Sequence, residues 1–140
     1  MGQQQLLLLV LSTVIVGLAT VAGIQAFSEN QAQANRDALI QRANSLGAEI
    51  LAAHNKPTQL GGIDLSSADS SAVKDAIGIQ TDENEAIDAG GASNAWCIIT
   101  TSSGTADVTC TSGDGQSATV NVDPSSSGDK VTLSSSSIGS

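Results

Sequence analysis

The chain is short of aromatic and of basic residues, and both shortages exclude classes of function. Phe27 and Trp96 are the only aromatic residues among 140, and there is no tyrosine. Platforms that stack nucleic-acid bases or sugars, and chains of aromatic side chains that carry electrons, are therefore not expected. Five Lys and Arg residues stand against fourteen Asp and Glu residues, which gives a net charge of −9. Repulsion then disfavours nucleic acid or an anionic membrane surface as a partner.

Side chains that carry out catalysis are also scarce. The chain has one histidine, two cysteines and no glycine-rich motif that cradles phosphate. His54 stands at the end of a predicted helix, where a histidine commonly interacts with the helix dipole. The acidic run of Asp82, Glu83, Glu85 and Asp88 could offer oxygen ligands to Ca²⁺, but it does not fit the EF-hand spacing, so a solvated loop is favoured. We expect no enzymatic activity, no cofactor, and no catalytic or metal-ligating residue.

What the chain does contain is an uncharged segment of 19 residues, Leu6 to Ile24, near its N-terminus. A segment of this length can span a bilayer as a helix. Three interpretations are open: a signal sequence cleaved near Ala26, a plain membrane anchor, and a span that leaves the membrane and becomes the core of a polymer. The length of the segment and the lack of a preceding basic residue count against a cleaved signal, and the polymer core is favoured. The apolar side chains that would form such a core are Leu6, Leu7, Leu8, Leu9, Val10, Leu11, Val14, Ile15, Val16, Leu18, Val21, Ile24 and Phe27.

The helical pattern continues beyond the apolar segment. Apolar residues recur at spacings of three and four, as they do on one face of a helix. This helix stripe consists of Leu39, Ala43, Leu46, Ile50 and Ala53. Ile40, Gly47 and Leu51 lie beside the stripe and widen it. We expect the stripe to pack on the globular part of the chain, and its width suggests a further contact.

Three regions follow from these patterns. Residues 1–56 are predicted as an N-terminal helix, with a membrane-spanning or core half at 6–24 and an amphipathic half at 28–54 that ends before a proline. Residues 57–93 are predicted as a linker that contains a short helix at 70–77, with an acidic, glycine-rich surface loop at 81–91. Residues 94–140 are predicted as an antiparallel β-meander, because short runs rich in Thr, Val and Ile alternate with Ser, Gly and Pro breakers. The predicted strands are 95–101, 105–111, 118–122 and 130–134.

The two cysteines test the predicted meander. If Ser103 and Gly104 form a two-residue hairpin loop, Cys97 lies directly opposite Cys110 in a non-hydrogen-bonded pair, where Cα atoms are about 4.5 Å apart. That separation is within reach of a disulfide. We therefore predict a Cys97–Cys110 disulfide, which is typical of an oxidising compartment. The face that carries the disulfide is expected to pack on the helix stripe.

A long N-terminal helix followed by a small β-meander, an α+β arrangement with a lollipop outline, resembles the type IV pilin family. The likeness is carried by this architecture, by the MGQQQLLL start at residues 1–8 and by the Asn-Arg-Asp-Ala sequence at residues 35–38. It implies a subunit that is first inserted in the inner membrane. Pilus assembly machinery then extracts the subunit into an extracellular helical homopolymer on the cell surface, with the apolar helices at its axis.

The N-terminus departs from the usual pattern of that family. Gly2 offers the only possible leader cleavage position, no carboxylate precedes Glu29, and the fifth residue after cleavage would be Leu7. Gln3, Gln4 and Gln5 could supply polar register contacts in place of the usual glutamate. Two further functions fit the same pattern: a minor pseudopilin of a secretion system and a monomeric membrane-anchored envelope protein. A filament could serve adhesion, motility, uptake or a passive coat, and the charge of the chain disfavours nucleic acid along the shaft.

Overall fold

The computed structural model of the chain describes residues 2–80, 86–92 and 94–137. The predicted α+β fold is confirmed: a long helix, α1, is followed by a five-stranded antiparallel sheet whose strands lie side by side in chain order. The elements are α1 (Gly2–His54), a 3-10 turn (Thr58–Leu60), α2 (Ser70–Ala76), β1 (Ile87–Asp88), β2 (Trp96–Ser102), β3 (Thr105–Thr111), β4 (Ser117–Val122) and β5 (Val131–Ser137). The chain forms two compact units, Met1–Gln33 and Ala34–Ser140.

The core of the second unit lies between α1 and one face of the sheet. Alternate residues of the strands are buried, as expected when one face of an antiparallel sheet covers a core. The inward-facing buried side chains of β2 to β4 are Cys97, Ile99, Ala106, Val108, Cys110, Ala118, Val120 and Val122. All five residues of the helix stripe are buried, and Leu39, Ala43, Leu46 and Ile50 belong to the same cluster. The stripe therefore packs on the chain's own sheet.

The β2–β3 hairpin has the predicted register. Ser102 pairs with Thr105, and Cys97 pairs with Cys110. Ser103 and Gly104, with φ angles of 46° and 93°, both have the positive φ of a type I′ turn, whose twist suits a hairpin. The two cysteines form the predicted disulfide, and their Cα atoms lie 3.9 Å apart. Both cysteine side chains are fully buried.

Between α1 and β2, the chain contributes more to the core than a linker would. A helix covers Ser70–Ala76, where a helix at 70–77 was predicted, and Asp69 caps its N-terminus by accepting a hydrogen bond from the Ala72 N–H. Val73 is fully buried and Leu65 nearly so. Neither residue belongs to a long apolar pattern, so the sequence did not indicate their burial.

The acidic stretch contains a strand where a surface loop was expected. Ile87–Asp88 form β1, which pairs with Cys97 and Trp96 of β2. Two residues are too short for a period-two pattern, so pairing with β2 defines this strand. Asp82, Glu83 and Glu85 lie outside the described residues, so of the candidate Ca²⁺ ligands only Asp88 is placed, in β1.

Candidate assembly interface

Residues 6–24, in the first unit of the chain, are uncharged and almost entirely apolar on all sides, and all of them are exposed. The large apolar side chains of this unit are between 53% and 70% exposed. They are the thirteen predicted core residues Leu6, Leu7, Leu8, Leu9, Val10, Leu11, Val14, Ile15, Val16, Leu18, Val21, Ile24 and Phe27. A helix that docks on one partner needs one apolar stripe, whereas a helix that is apolar all round needs cover on every side. By length and composition this helix could cross a membrane. Core helices of soluble proteins and signal sequences share these two properties.

The polar side chains within this segment are bonded to their own helix. The hydroxyl groups of Ser12, Thr13 and Thr20 donate to the carbonyl oxygens three residues earlier, at 2.8–2.9 Å. Because of these bonds, none of the three hydroxyl groups is left as a free donor. The free-energy cost of moving the segment from water into an apolar environment is therefore lower. The segment can therefore be surrounded by lipid or by other apolar helices.

Two glycines interrupt the bulky surface of the apolar helix. A Cβ atom added at Gly17 or Gly23 would meet no described atom within 4 Å. The fold of the single chain therefore does not require a glycine at either position. In an apolar environment, small residues let neighbouring helices approach closely. Gly2, the predicted cleavage position, is the first residue of α1, and Gln3, Gln4 and Gln5 are exposed.

The widened side of the helix stripe is also used within the second unit. Ile40 and Leu51 are half-buried against the core. Gly47 is buried, and a Cβ atom there would come within 3.1–3.3 Å of methyl groups of Val131, Val120 and Val122. The width of the stripe, which suggested a further contact, thus corresponds to the close packing of α1 on β4 and β5.

The Asn-Arg-Asp-Ala segment ties α1 to the sheet. Arg36 donates from Nη2 to Ser136 Oγ at 2.6 Å, and Asn35 Nδ2 lies 3.4 Å from Asp114 Oδ2. Asp37, the next residue along the helix, is exposed. In the sequence, nothing about this segment indicated a contact with the sheet. The structure shows that its first two side chains hold the helix against β5 and the β3–β4 turn.

A small polar cavity of about 280 Å³ lies at the C-terminal end of α1. It is lined by His54, Asp64, Ser66, Ser103, Gly104, Pro124 and Ser125. His54 Nδ1 is 3.1 Å from the Ile63 carbonyl oxygen, so the imidazole is engaged in a local contact at the helix end. The described residues include no group of three or more His, Cys, Asp and Glu side chains that could hold a metal ion.

The carboxylates near this cavity and at the cap of α2 are satisfied by their own loops. Hydrogen bonds from the Ser66 hydroxyl and N–H lower the pKa of Asp64, and bonds from the Ser125 hydroxyl and N–H do the same for the pKa of Asp123. At Asp69 the Ala72 N–H is the main cause of the lowered pKa. Each group is held as a carboxylate and stabilises a turn, so none of them is prepared to accept a proton near neutral pH.

The outward face of the sheet is almost uncharged. Strands β2 to β5 contain one charged residue, Asp107, which accepts a 2.7 Å hydrogen bond from Asn121 Nδ2. Trp96 and Ile98 are 39% and 41% exposed on this face. The period-two pattern of the strands could have indicated this face, since hydroxyl-bearing residues alternate there with the buried ones. Apart from Asp88 of β1 and Asp107, the described charged residues of the second unit therefore lie outside the strands.

No protein-family model, curated protein or solved structure matches the chain.

Proposed function

We propose that this chain is the structural subunit of an extracellular, type IV pilus-like filament. The subunit is inserted in the inner membrane through residues 6–24. It then assembles into a helical homopolymer in which the apolar helices pack side by side. The observation that carries the proposal is the uniform exposure of the thirteen apolar side chains of the first unit, 53–70% each.

The free energy available from covering this segment is large. Burying one Val, Leu, Ile or Phe side chain contributes about 1.5–3 kcal/mol. Thirteen such side chains together exceed the roughly 5–15 kcal/mol by which an ordinary domain is stable. A single chain cannot remain in water with this segment exposed, so it requires lipid or copies of itself around the helix. A contact between copies that does not close on itself extends into a filament.

One observation favours a second candidate, a monomeric membrane-anchored envelope protein. The helix stripe and its wide side are occupied by the chain's own sheet. The amphipathic half of α1 therefore does not by itself require a second copy, and the choice between filament and anchor depends on the apolar half.

The glycines of the apolar helix separate these two functions. Gly17→Leu and Gly23→Leu add bulk where the single chain has open space, and leucine favours membrane insertion. We expect both variants to insert in the membrane like the wild type. We also expect filaments to be lost, because neighbouring helices would be held apart. Val16→Leu, an apolar change at a position that is already bulky, is the matched control and should leave filaments intact.

Electron microscopy of sheared cell-surface material, with mass spectrometry of the filaments, makes the measurement. Abundant uniform filaments composed of this chain support the proposal. A chain that occurs in filaments at trace level indicates a minor pseudopilin. A wild-type chain confined to the membrane fraction, with no filament that contains it, overturns the proposal in favour of the anchored protein. A fragment without residues 1–24 should be soluble and should form no filaments, and filaments of that fragment would contradict a helical core.

A further inference from the structure

β5 is an edge strand whose outer side pairs with no other described strand. The opposite edge of the sheet is different. There β1 pairs with the first two residues of β2, and α2 packs near the same strand. Among the described residues, the sheet therefore has one edge that is covered in part and one long edge that is open.

Backbone hydrogen-bonding groups of β5 point to the open side. The Asp123 N–H donates to the Lys130 carbonyl oxygen at 2.8 Å, which marks a hydrogen-bonded pair at the start of the β4–β5 ladder. Bonded and non-bonded pairs alternate along antiparallel strands. Thr132 is therefore bonded to β4, whereas Val131 and Leu133 direct their N–H groups away from it. These groups are available to another strand.

The edge lacks most of the features that usually prevent such pairing. Edge strands are commonly protected by charged side chains or proline, or by bulges. β5 has a register shift opposite Thr119 and Val120, but its sequence, Val131–Ser137, contains no charged residue and no proline. Leu133, beside the open edge, is 46% exposed.

The distribution of charge indicates which partner fits this edge. All five basic residues and every acidic residue except Glu29 lie within Ala34–Ser140. Without Glu29, the net charge of −9 becomes −8 for that unit, so two copies repel each other across most of their surfaces. A neutral strand edge lets them approach without that cost. The uncharged strand edge that is complementary to β5 is the β5 edge of a second copy.

We propose that β5 of one chain pairs with β5 of a second copy and extends the sheet across both. Main-chain hydrogen bonds supply this kind of contact, as in other cases of strand addition. The contact does not use the apolar helix, so it goes beyond the proposed filament core and does not depend on it. Where copies are held on one membrane or in adjacent filaments, their high local concentration would favour this contact.

Single-cysteine cross-linking of the full chain in detergent micelles tests the contact. Thr132 and Thr100 are both exposed threonines, on β5 and on β2. With strands about 4.8 Å apart, β5 pairing would place two copies of Thr132 about one strand spacing apart and two copies of Thr100 about 34 Å apart. A short bismaleimide should therefore cross-link Thr132→Cys chains into dimers and leave Thr100→Cys chains monomeric.

A second change removes the main-chain donor. Adding Leu133→Pro to Thr132→Cys eliminates the outward N–H and should abolish the cross-link, because proline is tolerated on an open edge but cannot donate there. Leu133→Ala shortens the same side chain, keeps the N–H and should retain the cross-link. Leu133→Lys keeps the N–H but adds a charge to the edge, and it should also lose the dimer. It replaces the proline variant as the test if that variant does not fold. Equal cross-linking of Thr132→Cys and Thr100→Cys, no cross-linking of either, or a persistent dimer with Leu133→Pro would overturn the proposal.

Discussion

Gly47 lies where α1 packs directly on the sheet, and adding one methyl group there should destabilise the second unit. The Cβ atom of Gly47→Ala would come within 3.1 Å of Val131 Cγ1, 3.2 Å of Val120 Cγ1 and 3.3 Å of Val122 Cγ2. All three distances are shorter than ordinary contacts between carbon atoms. Valine is stiff at χ1, so the methyl groups cannot rotate away at low cost.

Two effects of opposite sign determine the magnitude. Replacing glycine by alanine inside a helix stabilises by about 1 kcal/mol through helix propensity. Overpacking a core costs about 1–3 kcal/mol. Because three stiff side chains on two paired strands surround the added atom, we expect the packing cost to prevail and the free energy of unfolding to fall by about 1 kcal/mol. For a unit of this size, that corresponds to a decrease in Tm of about 4–8 °C.

Trp96, the only tryptophan, reports unfolding of the sheet by fluorescence. Thermal and guanidinium unfolding of the full chain in detergent, compared with Gly47→Ala, gives the difference in the free energy of unfolding. The matched control is Ala48→Gly, at the exposed neighbouring position, which changes helix propensity alone and should cost about 1 kcal/mol. If Gly47→Ala raised the free energy of unfolding by the amount that Ala48→Gly lowers it, the inferred close packing would be refuted.

Two other predictions concern the disulfide and the carboxylates. Replacing Cys97 and Cys110 by alanine, which opens a loop with a sequence separation of 13, should lower the free energy of unfolding by about 3 kcal/mol, since the unfolded chain gains freedom. The pKa values of Asp64, Asp69 and Asp123 are lowered by hydrogen bonds in the folded state. Their stabilising contribution is complete above the unfolded value of about 4 and is lost as pH falls through the lower folded values.

Reducing agent is the control for the disulfide, since it should destabilise the wild type and leave the double alanine variant unchanged; an effect of reductant on that variant would contradict the assignment. For the carboxylates, acid unfolding of the wild type is compared with a triple Asn variant. The variant should show a weaker loss of stability below about pH 4. Identical acid profiles of the two proteins would mean that the three turns do not contribute to stability.

Much of the hairpin could be derived from the sequence because its determinants are local. A two-residue loop fixes the register of the flanking strands, and register fixes which residues face each other. Cys97 therefore had to lie opposite Cys110 once Ser103 and Gly104 formed the turn. The end of α1 was equally local, since Pro57 disfavours helical geometry in the residue before it.

Other features depended on contacts between distant parts of the chain. β1 has two residues and is a strand because β2 lies beside it. β5 extends to Ser137, beyond the predicted end at residue 134, because β4 supplies hydrogen bonds to a serine run with weak strand propensity. The close contact of Gly47 and the hydrogen bond from Arg36 to Ser136 likewise join residues far apart in sequence.

The sequence by itself determined an uncharged helix that needs cover on every side, a helical stripe that faces a core, and the pairing of the cysteines. These follow from hydrophobic periodicity and turn chemistry, which act over a few residues. Only the tertiary structure decided that the wide side of the stripe is used by the chain's own sheet and that β5 is left as an open, neutral edge. Such features depend on which elements become neighbours, and that is settled by packing over the whole unit.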